Sequence, residues 1–292
     1  MKKLLLLSAF LTFACTDDDT SNEENTNPSN EKLIESVTFH SVQDCGESNK
    51  LYDVVDFVLS YTNNRITSFS QRKFDIECEN NNLVFEESWS GEFSLEYNTS
   101  GLIINSTNSV SECLLNDDGF ITSIPQDESV GSLGYEFIYT DGYLSYCSIN
   151  EYPNQDDTEF IFSWLEGNRT VTRLNPSQPS NNMITTYQYG NLDNKLNLFS
   201  SDFMGESSRV FEPIFNSFLG KSSLKLPEII TKEFYSSSAL TLKKSYQFDY
   251  VIDDNGYVRY ITIFLDESSF SPIDNTEYNS SKKWTLEFTY TN

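Results

Sequence analysis

The chain has 292 residues and a net charge of −25 at neutral pH. A protein this acidic repels nucleic acid and anionic lipid surfaces, which excludes both as partners. Its length allows one sizeable β domain or two small ones after the N-terminal region.

The N-terminus has the layout of a secretory leader with a lipid-attachment cysteine. Two lysines precede an apolar stretch that ends just before Cys15. This stretch is shorter than the roughly 20 apolar residues of a membrane-spanning helix, so a cleaved signal peptide over residues 1–14 is predicted. Residues 11–15 resemble a bacterial lipobox, with Thr12 and Phe13 departing from the usual pattern. The resemblance implies acylation of Cys15 and an anchor in the membrane.

The segment after Cys15 is polar and acidic. It has no apolar side chain to bury over residues 16–31, so residues 15–33 are predicted to form a lipidated, disordered tether. The aspartates behind the cysteine, Asp17, Asp18 and Asp19, resemble the surface-export signal of lipoproteins from Bacteroidetes-type bacteria. That resemblance implies an outer-membrane lipoprotein that faces the cell exterior. Removing the leader would also change the net charge from −25 to −27, because two lysines leave with it.

Four cysteines follow the tether. They are Cys45, Cys78, Cys113 and Cys147, an even number in a chain with an export signal, which favours two disulfides. Their wide spacing does not fit a zinc site. Three connectivities are possible; sequential pairing, Cys45 with Cys78 and Cys113 with Cys147, is favoured because a meander keeps consecutive strands close.

Residues 34–292 repeatedly place large apolar residues at every second position, with Ser, Thr, Glu, Gln or Asp between them. This period predicts β-strands with one buried aromatic face and one wet face. The clearest examples are Phe57-x-Leu59-x-Tyr61, Phe93-x-Leu95-x-Tyr97, Tyr135-x-Phe137-x-Tyr139, Phe160-x-Phe162-x-Trp164, Tyr246-x-Phe248-x-Tyr250 and Leu286-x-Phe288-x-Tyr290.

Hairpin turn signals separate these strands. They are Asn63-Asn64, Ser100-Gly101, Asp118-Gly119, Asp141-Gly142, Gly167-Asn168 and Asn255-Gly256, all residues that tolerate positive φ. The fold predicted for residues 34–292 is a single all-β domain, an antiparallel meander of hairpins that is curled or barrel-like and soluble. One short amphipathic helix is predicted over residues 211–219, where apolar residues follow a helical period before Gly220.

A transmembrane barrel is disfavoured by the same pattern. Its strands need about 9–11 residues with an apolar outer face, whereas most predicted strands have roughly six to eight residues and a charged outer face.

Several tyrosine–turn–strand pieces resemble the units of YD-type repeats: residues 61–67, 139–144 and 250–257. The whole layout, including the loop Leu219 to Pro227, resembles an uncharacterised family of porin-like β domains found in Bacteroidetes lipoproteins. The resemblance covers roughly residues 50–290 and implies a porin-like β fold. It supplies no catalytic residues.

Signals for chemistry are weak. His40 is the only histidine, so a serine-hydrolase triad has one candidate base, and a surface or cross-strand histidine is the better interpretation. Acidic pairs at 117–118 and 253–254 are explained by turns. No metal or cofactor is expected, and the chain is not expected to be an enzyme.

The function favoured by the sequence is a surface-displayed binding module for a glycan or a peptide. Exposed aromatic side chains commonly stack on sugar rings, and Trp89, Tyr152 and Tyr257 are the candidate ligand-facing residues because they are out of phase with the core. The alternative is a structural or interaction subunit of an outer-membrane complex, with a hydrolase as a minor alternative.

Overall fold

The structure is a computed structural model. It describes residues 32–41, 52–79, 82–99, 101–106, 110–125, 134–150, 158–165, 168–174, 182–199, 218–270 and 276–291. The chain divides into two units, Met1–Lys32 and Leu33–Asn292. The predicted leader, Cys15, the tether with Asp17 to Asp19, Cys45 and Tyr152 all lie outside the described residues.

The described residues of the second unit form sixteen strands. The first eight are β1 (Ile34–Ser41), β2 (Tyr52–Thr62), β3 (Arg65–Glu79), β4 (Asn82–Tyr97), β5 (Gly101–Ser106), β6 (Val110–Leu115), β7 (Ile121–Ile124) and β8 (Gly134–Thr140). The others are β9 (Tyr143–Asn150), β10 (Thr158–Leu165), β11 (Asn168–Leu174), β12 (Asn182–Asp193), β13 (Lys225–Ser236), β14 (Ala239–Ile252), β15 (Val258–Phe270) and β16 (Glu277–Tyr290).

The sheet closes into a barrel. Each strand pairs antiparallel with its neighbours in the chain, and β1 pairs with β16 through Val37 opposite Phe288. The prediction of an all-β antiparallel meander is confirmed, and the meander is a closed barrel.

The predicted turn chemistry is confirmed at several hairpins. Asn63 and Asn64 both have positive φ (52° and 62°), as do Asp141 and Gly142 (54° and 81°). The turn Ser237-Ser238, also at positive φ (49° and 65°), has no glycine or asparagine and was not predicted.

The predicted strand lengths are wrong on one side of the barrel. The strands β5 to β11 have 4 to 8 residues, as expected, but β3 and β4 have 15 and 16 residues and β13 to β16 have 12 to 14. On β16 the extra residues, 277–283, are exposed and mostly polar on both faces, so alternation does not reveal them.

Inward-facing aromatic and aliphatic side chains from all around the barrel form one hydrophobic core. Phe57, Leu102, Val171, Ile261 and Phe288 are among its fully buried members. The core lies toward the end of the barrel where odd-numbered strands begin and even-numbered strands end.

A repeated hydrogen bond occurs at this end. An aromatic residue near the end of an even-numbered strand points inward and donates to a backbone carbonyl near the start of the preceding strand. The pairs are Tyr61 with Ile34 (2.8 Å), Tyr97 with Ile66 (3.0 Å), Tyr139 with Ile121 (2.6 Å), Trp164 with Leu144 (2.8 Å), Tyr250 with Pro227 (2.6 Å) and Tyr290 with Val258. We call these donors the capping aromatics. They explain the tyrosine that precedes the turn in the repeat-like pieces.

Burial weakens the acidity of the tyrosines among the capping aromatics. Loss of solvation raises the pKa of Tyr61 to about 12, with a smaller contribution from Tyr97. Burial also raises the pKa of Tyr250. These hydroxyls therefore stay neutral donors throughout the physiological pH range.

The connection between β12 and β13 closes the same end. Its described parts, residues 194–199 and 218–224, form what we call the plug. Phe218, Leu219 and Leu198 are buried in the core. The Ile121 amide donates to the Phe218 carbonyl (2.9 Å), and the Lys221 amide donates to the Gly142 carbonyl (2.8 Å).

Gly220 is the point of closest approach between the plug and the wall. Its φ is +82°, and a Cβ atom there would lie 2.7 Å from the Gly142 carbonyl oxygen. Only glycine combines that conformation with that contact. A helix was predicted over residues 211–219. Residues 211–217 lie outside the described residues, and Phe218 and Leu219 lie in a turn.

The predicted disulfide between Cys113 and Cys147 is wrong. Both are buried free thiols, and β7 and β8 separate their strands, β6 and β9. Three strand spacings put the Cα atoms roughly 14 Å apart along the sheet, whereas a disulfide needs them within about 7 Å. The pairing of Cys45 with Cys78 stays a prediction.

Replacing Tyr250 by Phe should lower the free energy of unfolding by about 1–3 kcal/mol, because the Pro227 carbonyl loses its donor in a dry interior. Urea denaturation measures this. Tyr260→Phe is the matched control: its hydroxyl donates to Glu287 (2.8 Å) on the outer face and should leave the midpoint unchanged. Equal effects of the two variants would contradict the role assigned to the capping aromatics.

Cys113 and Cys147 should resist iodoacetamide in the folded protein and react fully once it is unfolded without reductant. Burial raises the pKa of Cys113 to about 11 and also raises that of Cys147, and the thiolate is the reactive form. Peptide mass spectrometry reads the labels. A crosslinked peptide containing both residues would show that the thiols pair after all.

Candidate functional site

The end of the barrel opposite the plug, which we call the far end, has a wet inner wall. On β16, every residue from Glu277 to Lys283 is exposed, although alternate residues point inward in phase with the buried Trp284. Tyr278, Ser280 and Lys282 therefore face water from inside the barrel.

Six of the described basic side chains on the strands point to the inner face. Their direction follows from the alternation of side chains along a strand and from the pairing of strands. Each of these residues lies two positions along its strand from a core residue, or directly opposite a core residue on the neighbouring strand. The inward residues are Lys73, Arg169, Arg173, Lys232, Lys244 and Lys282. Among the side chains that the structure describes on the strands, the inward carboxylates are Glu86 and Glu267.

Acidic side chains concentrate on the outer face. Each lies between two inward-facing residues of its strand, so it points to the exterior. The outward carboxylates are Asp56, Glu92, Glu96, Glu112, Glu136, Glu159, Glu233, Asp249, Asp266 and Glu287. The outer face of the wall therefore carries most of the described carboxylates of the strands.

Three of the inward lysines lie close together on neighbouring strands. Lys232 on β13 is directly opposite Lys244 on β14, which is directly opposite Glu267 on β15. Lys282 on β16 lies two residues from the partner of Glu267. We call Lys232, Lys244 and Lys282 the basic wall.

Two lysines of the basic wall contact other side chains of the inner face. The Lys244 ammonium lies 3.3 Å from the Glu267 carboxylate, and both side chains are mostly buried (14% and 27% exposed). The Lys232 ammonium lies 5.7 Å from the centroid of the Tyr246 ring, a distance at which a cation is attracted to the ring face. Apolar residues at these positions would instead extend the core.

Arg169 also points inward, but it contacts the plug. It is buried, and its guanidinium lies 4.8 Å from the Tyr187 ring centroid and 5.8 Å from that of Trp164. It also donates to the Phe199 carbonyl of the plug. Arg169 thus joins the wall to the plug and lies away from the far end.

Trp89 lies inside the barrel at the far end. The prediction that it is out of phase with the core is wrong: it belongs to β4 and is in phase with Phe93 and Leu95. Its side chain is 46% exposed. Gly91 makes room for the indole, since a Cβ atom there would lie 2.6 Å from Trp89 Cη2.

The other candidates from the sequence have different positions. Tyr257 lies at the plugged end, where its ring is 5.6 Å from that of Tyr290 and 5.3 Å from the Lys195 ammonium, so it packs a turn. His40 on β1 pairs with Val54 and Thr285. Sequence reasoning missed Tyr278, which points inward and is 63% exposed, and it missed the basic wall.

A second hollow opens in the barrel wall between β12 and β14. It has a volume of about 460 Å³ and is lined in part by Gly190, Glu228 and Asp249. It forms where β12 bulges, with Tyr189 opposite Pro227 and Asp193 opposite Lys225. Its polar side chains are those of Glu228, Gln247, Asp249 and Tyr250.

Within the described ranges, no three His, Cys, Asp or Glu side chains are grouped so as to hold a metal ion. The same ranges contain no helix long and apolar enough to cross a membrane.

No known family model matches the chain, and no curated protein matches it. Among solved structures, it resembles a porin-like protein from Bacteroides uniformis, with a TM-score of 0.63 and 17% identity over 88% of this chain and 98% of that one. An acyl-CoA thioesterase II from Mycobacterium marinum aligns with a TM-score of only 0.16 and 7% identity, over 90% of this chain and 83% of that one, and supports no conclusion. The chain therefore has a porin-like β fold.

Proposed function

We propose that this protein is a cell-envelope lipoprotein whose barrel binds a ligand in the lumen at the far end. The ligand class expected from the sequence is a glycan or a peptide. One observation carries the proposal: the inner wall at this end is wet and partly aromatic, whereas the other end is filled by the core and the plug. A barrel of this size can hold a ligand in the part of its interior that side chains do not fill.

The envelope location is supported by the leader, Cys15 and the acidic residues behind it. The outer face of the barrel carries carboxylates on most of its strands, and a charge on a lipid-facing strand costs about 2–4 kcal/mol at the bilayer midplane for the basic residues, less for acidic ones. In this proposal the barrel lies in water, and the membrane is reached through the lipid on Cys15. The proposal includes no catalytic step.

A structural or interaction role is the second candidate. Ile138 and Ile161 flank Tyr146 on the outer face of β8 to β10, and they are 56% and 41% exposed. Exposed apolar side chains in one cross-strand row suit contact with another protein. Glu136 and Glu159 both lie in the next outer row, opposite Ser148, and border the apolar row on one side.

Replacing Cys15 by Ala should release a folded protein from the membrane fraction, because the acyl chains are the only proposed attachment. Cell fractionation and circular dichroism of the released chain measure the two parts of this expectation. Cys113→Ala, which leaves the lipobox intact, is the control and should stay membrane-bound. Retention of the Cys15→Ala chain in washed membranes would overturn the anchor.

The full chain carrying Cys15→Ala should bind at least one probe on glycan or peptide arrays, and Trp89→Ala should weaken that binding about tenfold through loss of an aromatic contact. Ile138→Ala, on the outer face, is the matched control and should bind normally. Thermal denaturation shows whether each variant is folded. Absence of binding on both arrays, or equal loss in both variants, would remove the proposed lumen site.

A further inference from the structure

A lysine of the plug binds the hairpin turn between β8 and β9. The Lys221 ammonium donates to the Asp141 carbonyl (3.0 Å) and lies 5.5 Å from the centroid of the Tyr143 ring. Gly142, between these two residues, leaves room for the lysine stem, since a Cβ atom there would lie 2.9 Å from Lys221 Cε. The turn therefore binds an ammonium group through a carbonyl oxygen and an aromatic ring, and its glycine admits the alkyl stem.

A second lysine of the plug binds the turn between β14 and β15 in the same way. The Lys195 ammonium donates to the Asn255 carbonyl (2.7 Å) and lies 5.3 Å from the centroid of the Tyr257 ring. A Cβ atom on the intervening Gly256 would lie 3.1 Å from Lys195 Nζ. In both turns, the residue before the glycine supplies the carbonyl and the residue after it supplies the ring. We call Lys195 and Lys221 the plug lysines.

The turn between β6 and β7, residues 116–120, has the same backbone hydrogen bonds as the turn at residues 253–257. In each, the first amide donates to the fifth carbonyl (2.9 and 2.8 Å), and the amide of the fourth residue, a glycine, donates to the first carbonyl (2.9 Å in both). The side chain of the first residue, Asn116 or Asp253, accepts from the third and fifth amides. The glycine has a φ of 81° in the first turn and 79° in the second. The two turns therefore present the same groups in the same backbone conformation.

The aromatic residue of each turn has an equivalent neighbour. The Phe120 ring lies 5.4 Å from the Tyr139 ring, and the Tyr257 ring lies 5.6 Å from the Tyr290 ring. Both neighbours are capping aromatics, and each donates to the carbonyl of the first residue of the strand that follows the turn. Phe120 is therefore positioned as Tyr257 is.

The turn at residues 116–120, which we call the open turn, has space where the other two turns hold a plug lysine. A Cβ atom on Gly119 would meet no other atom of the described residues within 4 Å. At the corresponding glycines of the other turns, the nearest such atoms include those of a lysine side chain. The open turn therefore has room for the stem of a lysine.

Carboxylates favour a cation at the open turn. Asp118 takes the position that the neutral Asn255 has in the turn at residues 253–257, and Asp117 takes the position of Asp254. Both aspartates of the open turn are exposed. The net charge of −25 also attracts a cationic polypeptide over a long range. An ammonium group at the open turn would thus meet one more carboxylate than Lys195 meets at its turn.

We propose that the open turn binds a lysine side chain of a partner polypeptide. The ammonium donates to the Asp118 carbonyl and lies over the Phe120 ring, as the plug lysines do at their turns. A polypeptide suits the site better than a free amine, because the Lys221 backbone also pairs with its turn: its amide donates to the Gly142 carbonyl (2.8 Å). The open turn lies at the plugged end, so this proposal does not depend on the lumen site at the far end.

The test is an NMR titration of the full Cys15→Ala chain labelled with ¹⁵N-glycine, of which the sequence contains 12 residues. The probe is a capped pentapeptide of glycine and serine with lysine at its centre, and the control peptide carries Nε-acetyl-lysine instead. The Gly119 signal should shift and saturate, with a Kd on the order of 1–10 mM. The Gly142 and Gly256 signals should not move, because their turns already bind lysines. The acetylated peptide, which lacks the charge, should shift none of the three.

Matched variants show whether the open turn itself binds the probe. Asp117→Lys should weaken binding about tenfold, because it puts a like charge beside the ammonium. Asp254→Lys makes the same charge change at the corresponding position of the other turn and should leave the Gly119 titration unchanged. Phe120→Leu should weaken binding several-fold through loss of the ring, whereas Phe120→Tyr should keep it. Thermal denaturation shows whether each variant is folded.

Absence of a Gly119 shift at about 20 mM peptide would overturn the proposal. Equal shifts of Gly119, Gly142 and Gly256, an equal response to the acetylated peptide, or equal losses in Asp117→Lys and Asp254→Lys would overturn it as well. Tighter binding of the free diamine putrescine than of the peptide would identify a small amine as the ligand and refute the polypeptide. A Gly119 shift that follows protein concentration alone would identify a second copy of the chain as the occupant and refute a separate partner.

Discussion

The pairing of β1 with β16 is the constraint on which the other features depend. Once the sheet is closed, no strand edge remains open along the paired wall, and every strand has one face toward a limited interior. Sixteen strands enclose more space than the side chains of a small barrel fill. The protein fills that space unevenly: the aromatic core and the plug occupy one end, and the capping aromatics satisfy backbone carbonyls that would otherwise be buried without donors.

Uneven filling produces a change of environment along the lumen. Near Phe288 and Val171 the interior is dry, and even a tyrosine hydroxyl there needs a carbonyl partner. Beyond Trp284 the strands continue, but the inward positions carry Lys, Ser and Tyr. The long strands β13 to β16 therefore add a polar inner surface between the core and the far end. This surface is not needed to bury apolar area, which is why we place the function there.

The fold was largely predictable from the sequence and the site was not. Period-two alternation and Asn, Asp or Gly turns depend on local backbone sterics, so they predicted the meander at Phe57-x-Leu59-x-Tyr61 and the turn at Asp141-Gly142. Closure of the barrel and the pairing of cysteines depend on which strands are neighbours. The spacing of the cysteines along the sequence does not contain that information. The error at Trp89 has a simple cause: Gly91 interrupts the apolar series and hides its phase. Lys232 and Lys244 each lie two residues from a core residue, Ile230 and Tyr246, so the sequence indicates that both point inward. A lysine within an apolar series, however, looks like an irregularity of the pattern.

Both ends of the barrel chain meet at the plugged end, where the Thr291 amide donates to the Leu33 carbonyl (3.0 Å). Leu33 and Thr291 therefore both lie at the plugged end, on the side of the barrel opposite to Tyr278 and Lys282. A probe or tether attached after Thr291 would therefore lie at the plugged end and leave the far end of the barrel unobstructed.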